Sequence, residues 1–402
     1  MKIGLVCPAS LPATQFGGIL FLAVDIANEL GKSGHNATIF TTNLDFANNP
    51  HTFNRKLPKI EKFENYNINR SNVWFHHELF YVNPTMYSQI KKFKPDIIHT
   101  IGIRSYQSFL AGLISKFQKI PLIISDQGGL TTHPDLKQGN FIKKILYKIQ
   151  IPIIKFIINQ SSRIIVANEY EKKIFQNFTS ESKITVVKNG INLESIKNPI
   201  MDFKNEHNIE NDFILFLGRF NKVKGIDNLI KAWEVINSKN SITTKLVIMG
   251  VDFGFQDLMQ DMINEKKLND KIIVIKKPTR DDVFAAYNSC LFLVLPSRWE
   301  LSPLTPLEGF AFNKTSISTT AHGIPYTLTD GENAILVEPE DFNQLATAIE
   351  TLLNDQNLRN KLSKNGFKLV SEECNSKEMV KKVFKIYEGV LHCKNKKNHV
   401  IS

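Results

Sequence analysis

No run of 18 uncharged apolar residues occurs in the 402-residue sequence, so a membrane-spanning helix is not expected. Cysteine is sparse. Cys7, Cys290, Cys374 and Cys393 form no CxxC pair and no metal-ligand spacing, which excludes a disulfide scaffold and fits a reduced, cytosolic compartment. No G-x-G-x-x-G is present, so the dinucleotide fingerprint is absent. There is no D-x-D either, so the usual carboxylates for holding a metal are missing and no metal site is expected. The opening MKIGLVCPAS has one lysine and a short apolar run, the pattern of a first strand rather than of a signal peptide.

What is present is a globular composition, 42% apolar and 22% charged, in a chain long enough for two cores. Net charge is +11 and unevenly placed. Residues 1–205 hold 25 Lys+Arg and 14 Asp+Glu, and residues 206–402 hold 25 of each. The N-terminal excess suits an acidic acceptor or an anionic membrane surface, and suits ordinary solvated lysines equally well. Nucleic acid is not expected, because no basic and aromatic interleaving accompanies the charge.

Short apolar runs alternate with helical spacing along the chain. Strands are expected at Lys2–Cys7, Asn36–Thr41, Asp96–Thr100, Pro121–Ser125, Arg163–Ala167 and Lys183–Val187. Helices are expected at Ile19–Leu30, Ser105–Lys116 and Glu169–Phe178. The polar stretch Glu194–Asn211 is the best interdomain boundary. The alternation then restarts, with strands at Phe213–Leu217, Lys245–Gly250, Lys271–Ile275 and Leu291–Pro296, and helices at Lys224–Val235, Gln256–Lys267 and Asp281–Ser289. This implies an α/β chain of two doubly wound, Rossmann-like halves. The boundaries read as 1–200, 201–375, a last amphipathic helix over 376–393 and a loose tail over 394–402.

One basic segment stands out. Phe141–Ile158 reads FIKKILYKIQIPIIKFII, and Lys143, Lys144, Lys148 and Lys155 share a sector of roughly 140° on a helical wheel. Such a helix can lie on a membrane, or pack on its own sheet with lysines in water. Topology alone requires a packed helix here, so burial is the stronger reading. Pro152 is expected to kink it.

The stretch WELSPLTPLEGF, Trp299 to Phe310, follows the apolar run LFLVLP. Glu300 then lies beyond the carboxyl end of a buried strand, where ligands bind in open α/β sheets. Thr305 is a candidate N-cap with Pro306 at the first helical position, which puts Glu308 in the first turn. Unpaired N–H groups at Ser302, Leu304 and Thr305 would favour a phosphate. A glutamate near a helix start is also ordinary compensation of the macrodipole.

This segment resembles the E-x7-E motif of retaining glycosyltransferases with the GT-B fold, most of all family 4. Further matches follow in order: FGG at Phe16–Gly18, NG at Asn189–Gly190, LGRFNKVKGIDNLIKA at Leu217–Ala232 and HGIPYTLTDGENAILVEPED at His322–Asp341. The resemblance covers nearly the whole chain. It implies two Rossmann-like domains facing across a cleft, and transfer of a hexose from a nucleotide-diphosphate sugar to a glycan, lipid-linked or other glycoconjugate acceptor. Neither metal nor separate cofactor is expected. The place of action would be the cytosol, or the inner face of the membrane.

By the same resemblance, Glu300 and Gln127 fall at catalytic positions. Gly17, Gly18, Arg219, Lys224, Glu308 and the run Ser302, Pro303, Leu304, Thr305 bind the donor. Glu308 would accept from ribose hydroxyls, and Lys276–Pro278 would meet the base. The last helix would cross back onto the first domain. Arg219 and Lys224 supply the positive charge that a metal would otherwise bring.

The chain departs from the family in places. Gln127 stands where many members have a histidine; it can hydrogen-bond but carries no proton at neutral pH. His133 or His99 are candidates for that role, and equally for ordinary loop or strand-end histidines. Leu301, Ser302, Gly309 and Tyr326 also differ, so the donor sugar is not legible. Two rival functions remain open: a catalytically silent sugar-nucleotide binder, and another GT-B enzyme such as an epimerase or phosphorylase.

Overall fold

The computed structural model describes residues 1–46, 51–78, 80–130, 141–196, 201–239 and 242–401, with the side chains of 141–147 and 395–401 left aside. The chain divides into two compact units. The first is Met1–Gly190 with Ser376–Ser402, and the second is Ile191–Asn375.

The first unit is built on an eight-stranded sheet. Its strands are β1 (Lys2–Val6), β2 (Asn36–Thr42), β3 (Ile60–Lys62), β4 (Tyr66–Ser71), β7 (Ile97–Ile101), β8 (Leu122–Ser125), β9 (Ser161–Val166) and β10 (Ile184–Val186). Their order is β10-β9-β8-β7-β1-β2-β4-β3. All neighbours are parallel except the edge strand β3, which is antiparallel to β4. A small hairpin, β5 (Phe75–His77) and β6 (Phe80–Val82), stands apart. The chain winds outward from β1 through β2 to β4, then returns and winds the other way from β7. The switch point therefore lies between β1 and β7, where the connecting loops leave a crevice at the strands' carboxyl ends.

Both faces of this sheet are covered. One core joins Ile3, Leu5 and Ile97 to the helix Gly18–Lys32 and to Met379, Val380, Val383 and Tyr387 of the last helix. The other joins Val6, Ile98 and Leu122 to Leu110 and Ile114 of the helix Tyr106–Gln118, and to Ile154, Ile157 and Ile158. Burial on both faces explains why these strands read as unbroken apolar runs.

The helix Phe141–Gln160 is assigned without a break through Pro152. Its later half packs on its own unit, with Phe156 against Gly112, while Lys148 and Lys155 are exposed. Lys143 and Lys144 lie among the side chains outside the description. No described helix is long and apolar enough to cross a membrane. The last helix runs Ser376–Ile401, so the expected loose tail is helical up to Ile401. No glycine or proline follows Gly389 to stop it.

The second unit has six parallel strands: β11 (Phe213–Leu217), β12 (Lys245–Gly250), β13 (Ile272–Lys276), β14 (Leu293–Val294), β15 (Ser316–Thr319) and β16 (Ala334–Val337). Their order is β13-β12-β11-β14-β15-β16. Here the direction of winding reverses between β11 and β14, which pair through Leu215 and Leu293. The core around them includes fully buried Phe213, Phe216, Trp233 and Phe292. Each such side chain contributes roughly 1.5–3 kcal/mol of burial free energy.

Candidate active site

The switch point of the second unit brings two loops together. One follows β11 and carries Arg219 and Lys224. The other follows β14 and carries Arg298 and Glu300. They approach so closely that Gly225, at φ 70°, has no room for a side chain, since a Cβ there would strike the Pro296 carbonyl oxygen. The backbone N–H of Arg298 donates to the Val223 carbonyl at 2.8 Å and fixes the register of the two loops.

Arg298 is the clamp between them. Its guanidinium donates to both oxygens of Asp227, at 2.7 and 2.8 Å, to the Lys222 carbonyl at 2.6 Å and to Glu340 at 2.9 Å. The forked geometry suits arginine. Sequence reasoning missed it, although its place two residues before Glu300 was a usable signal.

Held this way, the Lys224 ammonium forms an ion pair with a Glu300 carboxylate oxygen. Arg219 is near enough for the Glu300 charge to act on it. Burial lowers the guanidinium from its usual range, and Glu300 opposes that shift. The residue presents a large accessible surface despite dense surroundings. Arginine stays charged in such a setting. Its guanidinium lies 5.0 Å from the centre of the Phe253 ring. Lys224 thus pairs with Glu300 at the carboxyl edge of the sheet, and Arg219, on the same loop, lies within range of that carboxylate's charge.

Glu308 has other partners. One oxygen accepts from Arg280 at 2.6 Å and the other from the Tyr287 hydroxyl at 2.8 Å. Arg280 and Tyr287 lie two turns apart on the helix Arg280–Ser289, hence on one face. Burial, then the Glu308 carboxylate, pushes the Tyr287 phenol well above its usual range, so it stays a donor. Neither residue was singled out from the sequence, though the seven-residue spacing was there to be read.

The helix after Glu300 starts earlier than expected. It spans Leu304–Ala311 with Pro303 at the N-cap, so Thr305 is not the cap and Pro306 is not its first residue. Glu308 accordingly lies beyond the first turn. Pro306 costs no hydrogen bond in the first turn, where N–H groups lack intrahelical acceptors anyway. The N–H groups of Leu304 and Thr305 are left in that position. Ser302 and Thr305 are half-buried and Pro303 is buried.

In the first unit, Gly17 takes φ 94° as the N-cap of the helix Gly18–Lys32, and Gly18 is its first residue. A left-handed cap of this kind favours glycine. Gln127 follows β8 at φ 56° and forms a reciprocal amide pair with Asn189, at 3.0 and 2.7 Å. Two buried carboxyls anchor the loop around it. Asp126 accepts from the backbone N–H of Ile103 and Leu130, at 3.1 and 2.6 Å. Glu171 accepts from Gly128 at 3.2 Å and from Ala167 at 2.7 Å. Burial raises both carboxyl pKa values, and Asp126 raises that of Glu171 further.

His99 does not supply the missing proton carrier. It is wholly buried in β7, with Nδ1 2.6 Å from the Tyr387 hydroxyl and Nε2 2.8 Å from Ser125 Oγ. Burial lowers its pKa to about 3. His133 lies outside the described residues. Among the described residues no group of three or more His, Cys, Asp or Glu is placed to hold a metal ion.

Known proteins resemble this chain in sequence and in fold. The Glycosyltransferase Family 4 profile matches residues 16–195, and the Glycosyl transferases group 1 profile matches residues 197–369. An uncharacterized glycosyltransferase of Methanocaldococcus jannaschii is 30% identical over 309 residues, covering 74% of this chain and 78% of its own. The UDP-Gal:alpha-D-GlcNAc-diphosphoundecaprenol alpha-1,3-galactosyltransferase of Escherichia coli is 24% identical over 307 residues, 71% of this chain and 75% of that protein. Among solved structures, Anabaena HepE in complex with UDP and glucose superposes with a TM-score of 0.74 at 15% identity, covering 97% of this chain and all of that one. That likeness shows the GT-B fold of two Rossmann-like domains. Profiles, relative and fold agree that the chain belongs to the group 1, family 4 glycosyltransferases.

Proposed function

We propose that the protein moves a hexose from a nucleotide-diphosphate sugar to a glycan or lipid-linked acceptor, with retention and without a metal. The observation that carries this reading is the ion pair of Lys224 with Glu300 at the switch point of the second unit, with Arg219 on the same loop. A diphosphate at that edge would take the Lys224 ammonium for itself and release Glu300 toward the sugar. The C1–O bond to the diphosphate breaks with its electron pair leaving on the phosphate oxygen. The acceptor oxygen forms the new bond to C1 on the same face, and its proton passes to the departing phosphate. Charge on that group is balanced by Arg219, Lys224 and the N–H groups of Leu304 and Thr305.

Glu308, held by Arg280 and Tyr287, would accept the ribose hydroxyls, and Lys276–Pro278 would meet the base. Gly17 and Gly18 of the first unit are proposed to bind the donor, and Gln127 to stand at a catalytic position. The Anabaena structure holds UDP and the Escherichia coli relative is a UDP-Gal transferase, which favours a uridine donor; the diphosphoundecaprenol acceptor of the latter favours a lipid-linked acceptor. Such an acceptor, together with exposed Lys148 and Lys155, supports a place of action in the cytosol, at the inner face of a membrane.

Gln127 supports a second reading, a sugar-nucleotide binder without turnover, because its amide is spent on Asn189. A screen of uridine, guanosine and adenosine diphosphates by thermal shift, followed by diphosphate release with lipid-linked acceptors, tests both. A stabilising diphosphate with turnover supports transfer; stabilisation with no release from any acceptor leaves the binder; no stabilisation at all removes the donor site.

A further inference from the structure

The amino-terminal edge of the first unit's sheet, opposite the edge that carries Gln127, holds a cavity of about 480 Å³. That is within the usual range for small-molecule sites. Four cations line it from separate elements: Lys116 and Lys119 at the end of the helix Tyr106–Gln118, Arg163 at the start of β9, and Lys394 on the last helix.

Among the described residues no acidic one lines the cavity. Among the described residues, none of these four forms an ion pair with a carboxylate. Some cations elsewhere in the unit are matched, as in Lys172 with Glu169 and Glu181, and Arg70 with Glu61. Arg163 donates a hydrogen bond to the neighbouring Ser162 carbonyl, at 3.2 Å. Nearby Lys183 has its pKa lowered, by burial first and then by the Arg163 charge. Lysines at a helix carboxyl end offset the macrodipole, which accounts for Lys116 and Lys119. It does not account for Arg163 and Lys394, which come from other elements and face the same space.

We propose that this cavity binds a phosphate-bearing anion, with Arg163 offering its fork and the three lysines point charges. The phosphate has two sources of the same chemistry, a free phosphorylated metabolite or the headgroup of an anionic phospholipid. Phe117, 67% exposed beside Lys116, gives a lipid surface something apolar to meet. The proposal does not rest on the sugar-transfer reading.

Cys393 provides a local reporter. It lines the cavity and is exposed, whereas Cys7, Cys290 and Cys374 are buried. The rate of its alkylation by iodoacetamide on the full chain is read by mass spectrometry. Inorganic phosphate and glycerol 3-phosphate form one arm; phosphatidylcholine vesicles with and without phosphatidate form the other. Occupancy is expected to slow alkylation several-fold. The R163Q/K116Q variant should raise the half-protecting concentration by about tenfold or more. The K119Q/K394Q pair, at surface positions, repeats the test without touching β9. Protection by the free phosphates assigns a metabolite, and protection by phosphatidate vesicles alone assigns a headgroup. No protection in either arm, or protection undiminished in both variants, overturns the site.

Discussion

Removing Lys224 and removing Glu300 should move diphosphate affinity in opposite directions. In the structure each neutralises the other, and each side chain is only 19% exposed. A diphosphate at the switch point must compete with Glu300 for the ammonium. A charge-assisted contact of this kind contributes about 1.5–3 kcal/mol, so Lys224→Ala should weaken diphosphate binding by roughly 10- to 150-fold. Glu300→Ala removes the competitor, so affinity should hold or rise by up to about tenfold, while sugar transfer falls by about 100-fold or more. Isothermal calorimetry with the diphosphate that stabilises the protein most gives the affinities, and diphosphate release gives the rate. Undiminished binding by Lys224→Ala would refute the assignment of Lys224. Weakened binding by Glu300→Ala would refute the competition between them.

Two further outcomes are expected. Arg298→Ala leaves Asp227 without its fork in a pair whose side chains are 16% and 15% exposed, and should cost the second unit about 1.5–3 kcal/mol. The urea transition reported by buried Trp233 measures this, and a loss under about 0.5 kcal/mol would mean the clamp is dispensable. His99 sets an acid limit on the first unit. Its pKa is lowered from 6.5 to about 3, so the unfolded chain takes up a proton that the folded one refuses. Stability is whole above the unfolded value and falls as pH drops through that window, by roughly 2–3 kcal/mol between pH 6.5 and 4.5. Hydrogen exchange of the β7 amides should show this loss, and His99→Asn should lack it.

The doubly wound architecture was legible because strands buried on both faces must be apolar throughout. Phe213–Leu217 and Lys245–Gly250 agree with the structure to the residue. The same logic placed Arg219, Lys224 and Glu300 at carboxyl ends. Their convergence needed the order of strands, which no local pattern carries. The strands from Ile60 to Val82 were not read: β3, β5 and β6 have three residues each, too few to show an alternation, and the six residues of β4 carry Asn67, Asn69 and Arg70 in place of an apolar run. The partners of Glu308 were hidden by distance along the chain, 28 residues for Arg280 and 21 for Tyr287. A rule that favours proline at the first helical position misled the reading of the helix at Leu304, because the third position tolerates it as well.

The sheet face made by Leu5 and Ile97 is completed by Met379, Val383 and Tyr387. On the ribosome, its strands through β10 emerge long before the segment that covers them. Throughout synthesis of the second unit the part of this greasy surface that the helix Gly18–Lys32 does not cover waits exposed, at risk of sticking to other nascent chains. A chaperone that shields it during that delay would be expected to raise the yield of native protein, more than one that acts after release.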